Sequence, residues 1–257
     1  MTLEAGQYSA IYNMLSLGIA SMTFTSLFLW FARERVLPRY RTAIMVSATV
    51  TSIAAYHYFR MFDSFNEAFG PEKVAGADYN VGYRYVDWFL TVPLLLVEVV
   101  AVLALARSVQ SSLLARLVPA AAAMIALGYP GDARLDNVFG IQLAPDMWGL
   151  LSTIPFLYIL YVLFIELGKS LERQSDAVKK KVTALRILLI ASWGVYPISF
   201  IANMGATPTA DGFALREIGY SVADITAKCV FGLIIYSIAR IKSAEDSKEF
   251  ADNEFRD

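Results

Sequence analysis

Asp224 and Lys228 stand four positions apart inside Ile218–Ala239, a stretch with no other charge. Four residues make just over one helical turn, so the two side chains would share a face. A second apolar stretch offers Arg84, Asp87 and Glu98, and a third offers His57, the one histidine in 257 residues. An ionisable group buried in a bilayer costs ~2.5–3.5 kcal/mol on insertion scales, so each of these asks for a reason. The plain reason for Lys228 is an ion pair with Asp224 or Asp87 that holds helices together. The chemical reason begins with an amine kept from water, which can shed its proton and attack an aldehyde to form a Schiff base. Neighbouring carboxylates then decide whether that nitrogen keeps a proton.

The spacing also orders these groups by depth. Asp87 follows Arg84 by three residues and precedes Thr91 by four, so all three share one helix face. Glu98 lies 11 residues beyond Asp87, or about 16 Å along a helix. Glu217 precedes Lys228 by the same 11 residues. Titratable groups at three levels around one lysine suit a proton path. A packing network of unrelated polar contacts gives no reason for that order.

The elements that must hold these residues are membrane helices. The chain is 57% hydrophobic and 18% charged, against about 25% charged in an ordinary soluble domain, and its mean hydropathy is +0.50. This excludes a soluble globular domain, a disordered chain and a nucleic-acid binder. Lys+Arg of 22 against Asp+Glu of 23 says nothing until the charges are placed. The single Cys229 excludes an intramolecular disulfide and a cysteine-rich metal site, and no metal is expected. Gly6–Ala32, Thr42–Phe59, Met147–Ile165 and Ile187–Ala210 carry no formal charge. Phe89–Ala106 and Ile218–Ala239 carry only the residues named above, and Leu117–Gly131 extends through Ser111–Ala115. Spanning takes about 20 apolar residues, so the expectation is an all-α bundle of seven transmembrane helices.

Basic residues concentrate in alternate connections: Arg33, Arg35, Arg39 and Arg41, then Arg107 and Arg116, then Lys169–Arg186, then Arg240 onward. The other connections hold Lys73, Arg134 and Arg216. The positive-inside rule places the N-terminus outside and the C-terminus in the cytoplasm. Arg60 is expected to close the second helix and snorkel to the interface. The first run is too long for a signal-peptide core and its basic residues follow it, so an uncleaved anchor is expected. The longest connection is expected over Asp63–Asn80. Residues 1–242 would form the membrane domain, and 243–257 a short polar cytoplasmic tail without fixed structure.

Three segments carry a family resemblance. Arg84-Tyr85-Val86-Asp87-Trp88-Phe89-Leu90-Thr91-Val92-Pro93-Leu94-Leu95-Leu96-Val97-Glu98 resembles the third helix of the microbial (type 1) rhodopsins. Asp224-Ile225-Thr226-Ala227-Lys228 resembles their retinal-lysine motif, and Trp193-Gly194-Val195-Tyr196-Pro197 their sixth-helix signature. Ala55-Tyr56-His57-Tyr58-Phe59-Arg60 resembles the xanthorhodopsin-like proton pumps within that family. The resemblance implies a seven-helix rhodopsin bundle and all-trans retinal bound covalently to Lys228 as a protonated Schiff base. It makes Asp87 the primary counterion and proton acceptor, Asp224 the second carboxylate, and Thr91 a hydrogen-bond partner of Asp87. Arg84 would shape the external side, Glu98 would reprotonate the Schiff base, and His57 would pair with Asp87. The proton would leave past Arg84 and Glu217.

Asp87, Thr91 and Glu98 match the family's outward proton pumps. Its chloride pumps lack the first carboxylate, its sodium pumps read Asn, Asp, Gln, and its sensory members lose the ionisable donor. The resemblance also assigns a pocket. Trp88 and Trp193 would sandwich the polyene, with Tyr196, Pro197, Phe200, Tyr85, Met124, Gly128, Ser152 and Thr153 around it. Leu95 sits at a colour-tuning position where leucine implies green absorption. Gly149, after Trp148, would leave a window where a carotenoid antenna can dock. The implied function is a light-driven ion transporter rather than an enzyme, multi-pass in a prokaryotic cell membrane, with the bilayer, protons, a carotenoid and its own copies as partners. Three alternatives compete: a photosensor, a retinal-free transporter with a paired lysine, and a Schiff-base enzyme.

Overall fold

The computed structural model describes residues 1–71, 73–135, 137–202 and 209–255, and of residues 170, 199–202 and 255 the backbone alone. The seven long helices are α1 (Ala5–Ala32), α2 (Pro38–Phe69), α3 (Gly82–Val102), α4 (Arg107–Asp132), α5 (Pro145–Tyr161, continued to Leu171), α6 (Asp176–Ala202) and α7 (Ala210–Asp246). A short α8 (Lys248–Phe255) follows. No strand occurs among the described residues, only the isolated bridge Val138–Ile141 in the α4–α5 connection.

The helix starts are legible locally. Glu4 and Gln7 form a capping box at α1, Pro38 and Pro145 open α2 and α5, and Thr209 accepts from Gly212 N at α7. Proline fits there because a first-turn N–H has no helical partner to lose. Two helices contain a π turn, Val162–Glu166 in α5 and Ile225–Val230 in α7. The second holds Lys228. One extra residue per turn rotates the faces on either side of it, which lets α7 aim residues at several neighbours. α7 packs on α1, α2, α3 and α6, and so forms the axis of the bundle.

Among the described residues, six helices are long and apolar enough to cross a membrane, and α2 is the seventh by position. It is long, but Ser47, Thr49, Thr51, Ser52 and His57 lower its hydropathy. Those hydroxyls bond back to their own helix or to α1 and α3, so α2 suits an enclosed place beside α7. α1, α4, α5 and α6 turn most of their side chains outward, including Phe24, Phe31, Leu150, Ile154 and Ile187. An apolar surface of that extent belongs in lipid. The chain is a multi-pass membrane protein.

Two sequence expectations need correction. The second connection is shorter than Asp63–Asn80, because α2 runs on to Phe69 before Gly70 closes it onto Asn66 O. Arg60 therefore lies within α2, where its guanidinium donates to Tyr83 Oη at 2.8 Å. The tail is also ordered over its described residues, which end at 255. α7 continues to Asp246, and Glu254 of α8 pairs with Arg240 and Arg35. The Arg240 hydrogen bond holds the Glu254 carboxyl below the usual range.

Candidate functional site

Lys228 Nζ lies at the centre of the bundle, 2.7 Å from Asp87 Oδ2 and 2.7 Å from Asp224 Oδ1. All three side chains are sealed from the surface. The i,i+4 spacing delivers Asp224, and the packing of α3 on α7 delivers Asp87.

The two carboxylates are unequal. Asp224 Oδ1 accepts from Lys228, from Trp88 Nε1 at 2.9 Å and from Tyr196 Oη at 2.7 Å. Its Oδ2 accepts from Tyr58 Oη at 2.9 Å and Arg84 Nη1 at 3.2 Å. Asp87 accepts from Lys228 alone, and its Oδ1 has no hydrogen-bond partner among the described residues. A carboxylate ringed by five donors must surrender one on protonation, whereas Asp87 can take a proton on Oδ1 at no such loss. Asp87 is the better acceptor and Asp224 the fixed anion.

Two expected contacts of Asp87 are not made. Thr91 Oγ1 donates to the main-chain carbonyl of Asp87 at 2.8 Å, not to its carboxylate, the usual back-bond of a helical threonine. His57 is buried, but its Nδ1 is unpartnered and it forms neither hydrogen bond nor ion pair with Asp87. The carboxylate has turned to Lys228 instead.

On one side of this centre, Arg84 carries the network outward. Its Nη1 meets Asp224, and its Nη2 donates to Glu217 Oε2 at 2.7 Å. Tyr79, in the α2–α3 connection, donates to the same oxygen at 2.8 Å. Burial, and next the Glu217 carboxylate, push the Tyr79 hydroxyl up, so it stays a donor. Arg216 then joins Glu217 to Asp132 at the end of α4. On the other side, Glu98 is buried, receives Ser47 Oγ on Oε2, and has no partner on Oε1. Sequence reasoning missed Tyr58, Ser47, Asp132 and the pairing role of Arg216. Their partners come from other helices, and no spacing rule reports that.

A cavity adjoins the Lys228 centre, separated from it by Trp88 and Tyr196. Its wall includes the expected Tyr85, Trp88, Met124, Gly128, Gly149, Ser152, Thr153, Trp193, Tyr196 and Pro197. Val92, Ile125, Phe156 and Tyr220 complete it and were not anticipated. On α3 the wall uses residues 85, 88 and 92, while 84, 87, 91 and 98 form a separate polar stripe. Thr91 and Leu95 are therefore buried beside the cavity but off its wall. Phe200 lies outside the described side chains.

The polar atoms of this wall are used elsewhere. Ser152 donates to Met124 O and Thr153 to Gly149 O, while Trp88 and Tyr196 spend their donors on Asp224. What faces the cavity is aromatic and aliphatic, so it suits an elongated apolar ligand rather than a polar one. With a lysine and two carboxylates beside it, this donor set fits retinal, whose chain is hydrocarbon and whose reactive end is an aldehyde.

The chain matches the family described as Bacteriorhodopsin-like protein over residues 9–241. It is 31% identical to a green-light absorbing proteorhodopsin of Gamma-proteobacterium EBAC31A08 over 238 residues, 92% of this chain and 88% of that one. Among solved structures, it resembles xanthorhodopsin, titled a light-driven ion pump with dual chromophore. The TM-score is 0.87 at 44% identity, covering 96% of this chain and 98% of that one. Thermophilic rhodopsin gives a TM-score of 0.87 at 40% identity, covering 96% and 100%.

Proposed function

The chain belongs to the bacteriorhodopsin-like family of microbial (type 1) rhodopsins, and from that premise we propose that it is a light-driven outward proton pump carrying retinal on Lys228. The observation that carries this reading is the unequal pair at Lys228 Nζ, a saturated Asp224 and a receptive Asp87, with Glu98 standing apart on the other side. Retinal, joined covalently to Lys228 Nζ, would supply the absorption of light and a change of shape that reorients that nitrogen.

The protein's own residues do the rest. Trp88, Trp193, Tyr196 and Pro197 hold the ligand and keep water out. The four other donors around Asp224, from Tyr58, Arg84, Trp88 and Tyr196, fix a negative charge that keeps a proton on Lys228 Nζ at rest. The nitrogen's proton passes to Asp87 over the short contact seen here, 2.7 Å to Oδ2. Glu98 returns a proton to Lys228 Nζ from the cytoplasmic side, released from Ser47 as it does so. Moving one charge against 100 mV takes about 2.3 kcal/mol, and light is the source this site offers. The resemblance supports outward direction, a cytoplasmic C-terminus and self-association in the membrane. It also supports residues 1–242 acting as the retinal-binding domain, with 243–257 as its cytoplasmic tail.

Gly149 and Thr153 bring the cavity to the outer face of α5, where Thr153 is exposed. A rigid, apolar carotenoid lying there could hand its excitation inward. Gly149→Trp should remove that binding, read as loss of carotenoid bands, and leave the retinal band in place.

Membranes containing the protein should develop a visible band on addition of all-trans retinal, and no band would refute the rhodopsin reading. Cells illuminated in unbuffered medium should acidify it, and a protonophore should abolish the signal. A pigment that bleaches and recovers without any pH change would leave a photosensor instead.

A further inference from the structure

The inequality that separates Asp87 from Asp224 recurs at the opposite end of the Arg84 network. Glu217 accepts four donors: Tyr79 Oη at 2.8 Å and Arg84 Nη2 at 2.7 Å on Oε2, Arg216 Nε at 3.1 Å and Nη2 at 3.0 Å on Oε1. Three of those donors belong to two guanidinium groups, and the side chain is 1% exposed. Protonating Glu217 would turn an acceptor oxygen into a donor that faces another donor. It is built to remain an anion, which makes it a poor exit for a proton.

Asp132 is built differently. Its Oδ1 accepts from Arg216 Nη1 at 2.9 Å, against the four donors gathered on Glu217. It is the last residue of α4, where the helix dipole presents its negative end, an unfavourable place for an anion. Its side chain keeps slightly more access to the surface, 3% exposed against 1% for Glu217. Tyr85 Oη, on the cavity wall, donates to Gly128 O at 3.4 Å, one turn before Asp132, so the helix that carries Asp132 touches a residue that feels the ligand's shape. Arg216 is the one side chain among the described residues bonded to both outer carboxylates.

We propose that Asp132 is the outermost proton-carrying residue of the pump and that Arg216 is its positioning residue, while Glu217 stays ionised throughout the cycle. This rests on the proton-pump reading above. The step balances simply: Asp87 gives up one proton, Asp132 takes one and passes it to external water, and Asp132 ends as the carboxylate it began as. Arg216 neutralises Asp132 in the resting state and is held in reach by its two bonds to Glu217. Helix α4, which sequence reasoning treated as pocket wall alone, thereby joins the exit path.

The test is flash photolysis of the retinal-loaded protein in liposomes with pyranine as the external pH probe. Asp132→Asn should delay proton appearance at least several-fold and prolong the protonated state of Asp87, while loss of the proton from Lys228 Nζ keeps its wild-type rate. Asp132→Glu should restore the timing. Glu217→Gln should move the resting absorption maximum through Arg84. Wild-type release timing in Asp132→Asn would overturn the proposal, as would a delay in Glu217→Gln alone. Should Asp132→Asn not assemble, infrared difference spectra decide: a transient carboxyl band that moves in Asp132→Glu supports the relay, and an unmoved band refutes it. A wild-type protein that gives no pyranine signal at all refutes the pump reading itself.

Discussion

Gly18→Ala is a sharp test of how the Lys228 centre is held. A methyl group at Gly18 would lie 2.2 Å and 2.3 Å from Cδ1 and Cε1 of Tyr58. Carbon atoms pack at about 3.5–4.0 Å, so the ring or helix α1 must yield by more than ~1 Å. Tyr58 is fully buried, and its hydroxyl reaches Asp224 Oδ2 at 2.9 Å. A shift of that size takes the contact to about 4 Å, beyond hydrogen bonding. Losing a hydrogen bond to a charged group costs ~1.5–3 kcal/mol, and overpacking adds ~1–3 kcal/mol. Tyr58→Phe alone should cost only the first amount. In that background Gly18→Ala should cost only the second, so the pair should be non-additive by ~1.5–3 kcal/mol. Thermal bleaching of the four proteins measures this. With one donor fewer on Asp224, absorption should also move to shorter wavelength in both single variants. Additivity within ~0.5 kcal/mol, or an unshifted spectrum in Gly18→Ala, would refute the reasoning.

Other outcomes follow from the same geometry. Asp87→Asn should abolish light-driven pH change while the pigment persists. Asp224→Asn should instead cost ~3–5 kcal/mol, as expected for an opened buried ion pair, and be read as poor pigment assembly. Glu98→Gln should slow recovery of the resting absorption, and an unchanged cycle would remove Glu98 from the donor role. The docking of α8 depends on pH through Glu254, whose carboxyl Arg240 holds below the usual range. Its stabilisation is complete above the ordinary carboxylate range and is lost as pH falls through the lowered value. The effect is at most ~1 kcal/mol for a partly buried pair at the end of the bundle. Limited proteolysis should cut the tail faster in acid, and in Glu254→Gln at any pH.

What the sequence revealed depended on whether partners share a helix. Asp224 and Lys228 are a turn apart, so their common face was legible from spacing. Arg84, Asp87 and Glu98 were legible as one stripe for the same reason. Tyr58 and Trp88 meet Asp224 only after three helices pack together, and Gly18 looks like any small residue of a membrane helix. Asp132 gave no signal in the sequence, because its partner Arg216 is 84 positions away. The pairing of His57 with Asp87 came from resemblance alone, and the carboxylate's other choice, Lys228, defeats it here. The tail read as disordered because its composition is polar, yet Glu254 finds two arginines that the bundle places within reach.

The charges of the central column do not cancel, and this has a consequence. Lys228, Arg84 and Arg216 face Asp87, Asp224, Glu217 and Asp132 in one connected set of ion pairs. One carboxylate is left over. An unpaired buried charge costs several kcal/mol, more than any single hydrogen bond in the set can return. The least costly arrangement retains one extra proton. Asp87 must stay ionised at rest to serve as acceptor, so the base left for that proton is His57, whose Nδ1 has no hydrogen-bond partner among the described residues. Because the groups are coupled, its titration belongs to the set rather than to one residue. Transfer from Lys228 to Asp87 leaves the column's total charge unchanged, and only release from Asp132 and return through Glu98 alter it. Dark-state infrared spectra should show an imidazolium from His57. Asp132→Asn, which removes the surplus charge, should abolish that signal. Its persistence in Asp132→Asn, or its absence in the wild-type protein, would show that the column tolerates the unpaired charge and that the exit must be driven by another force.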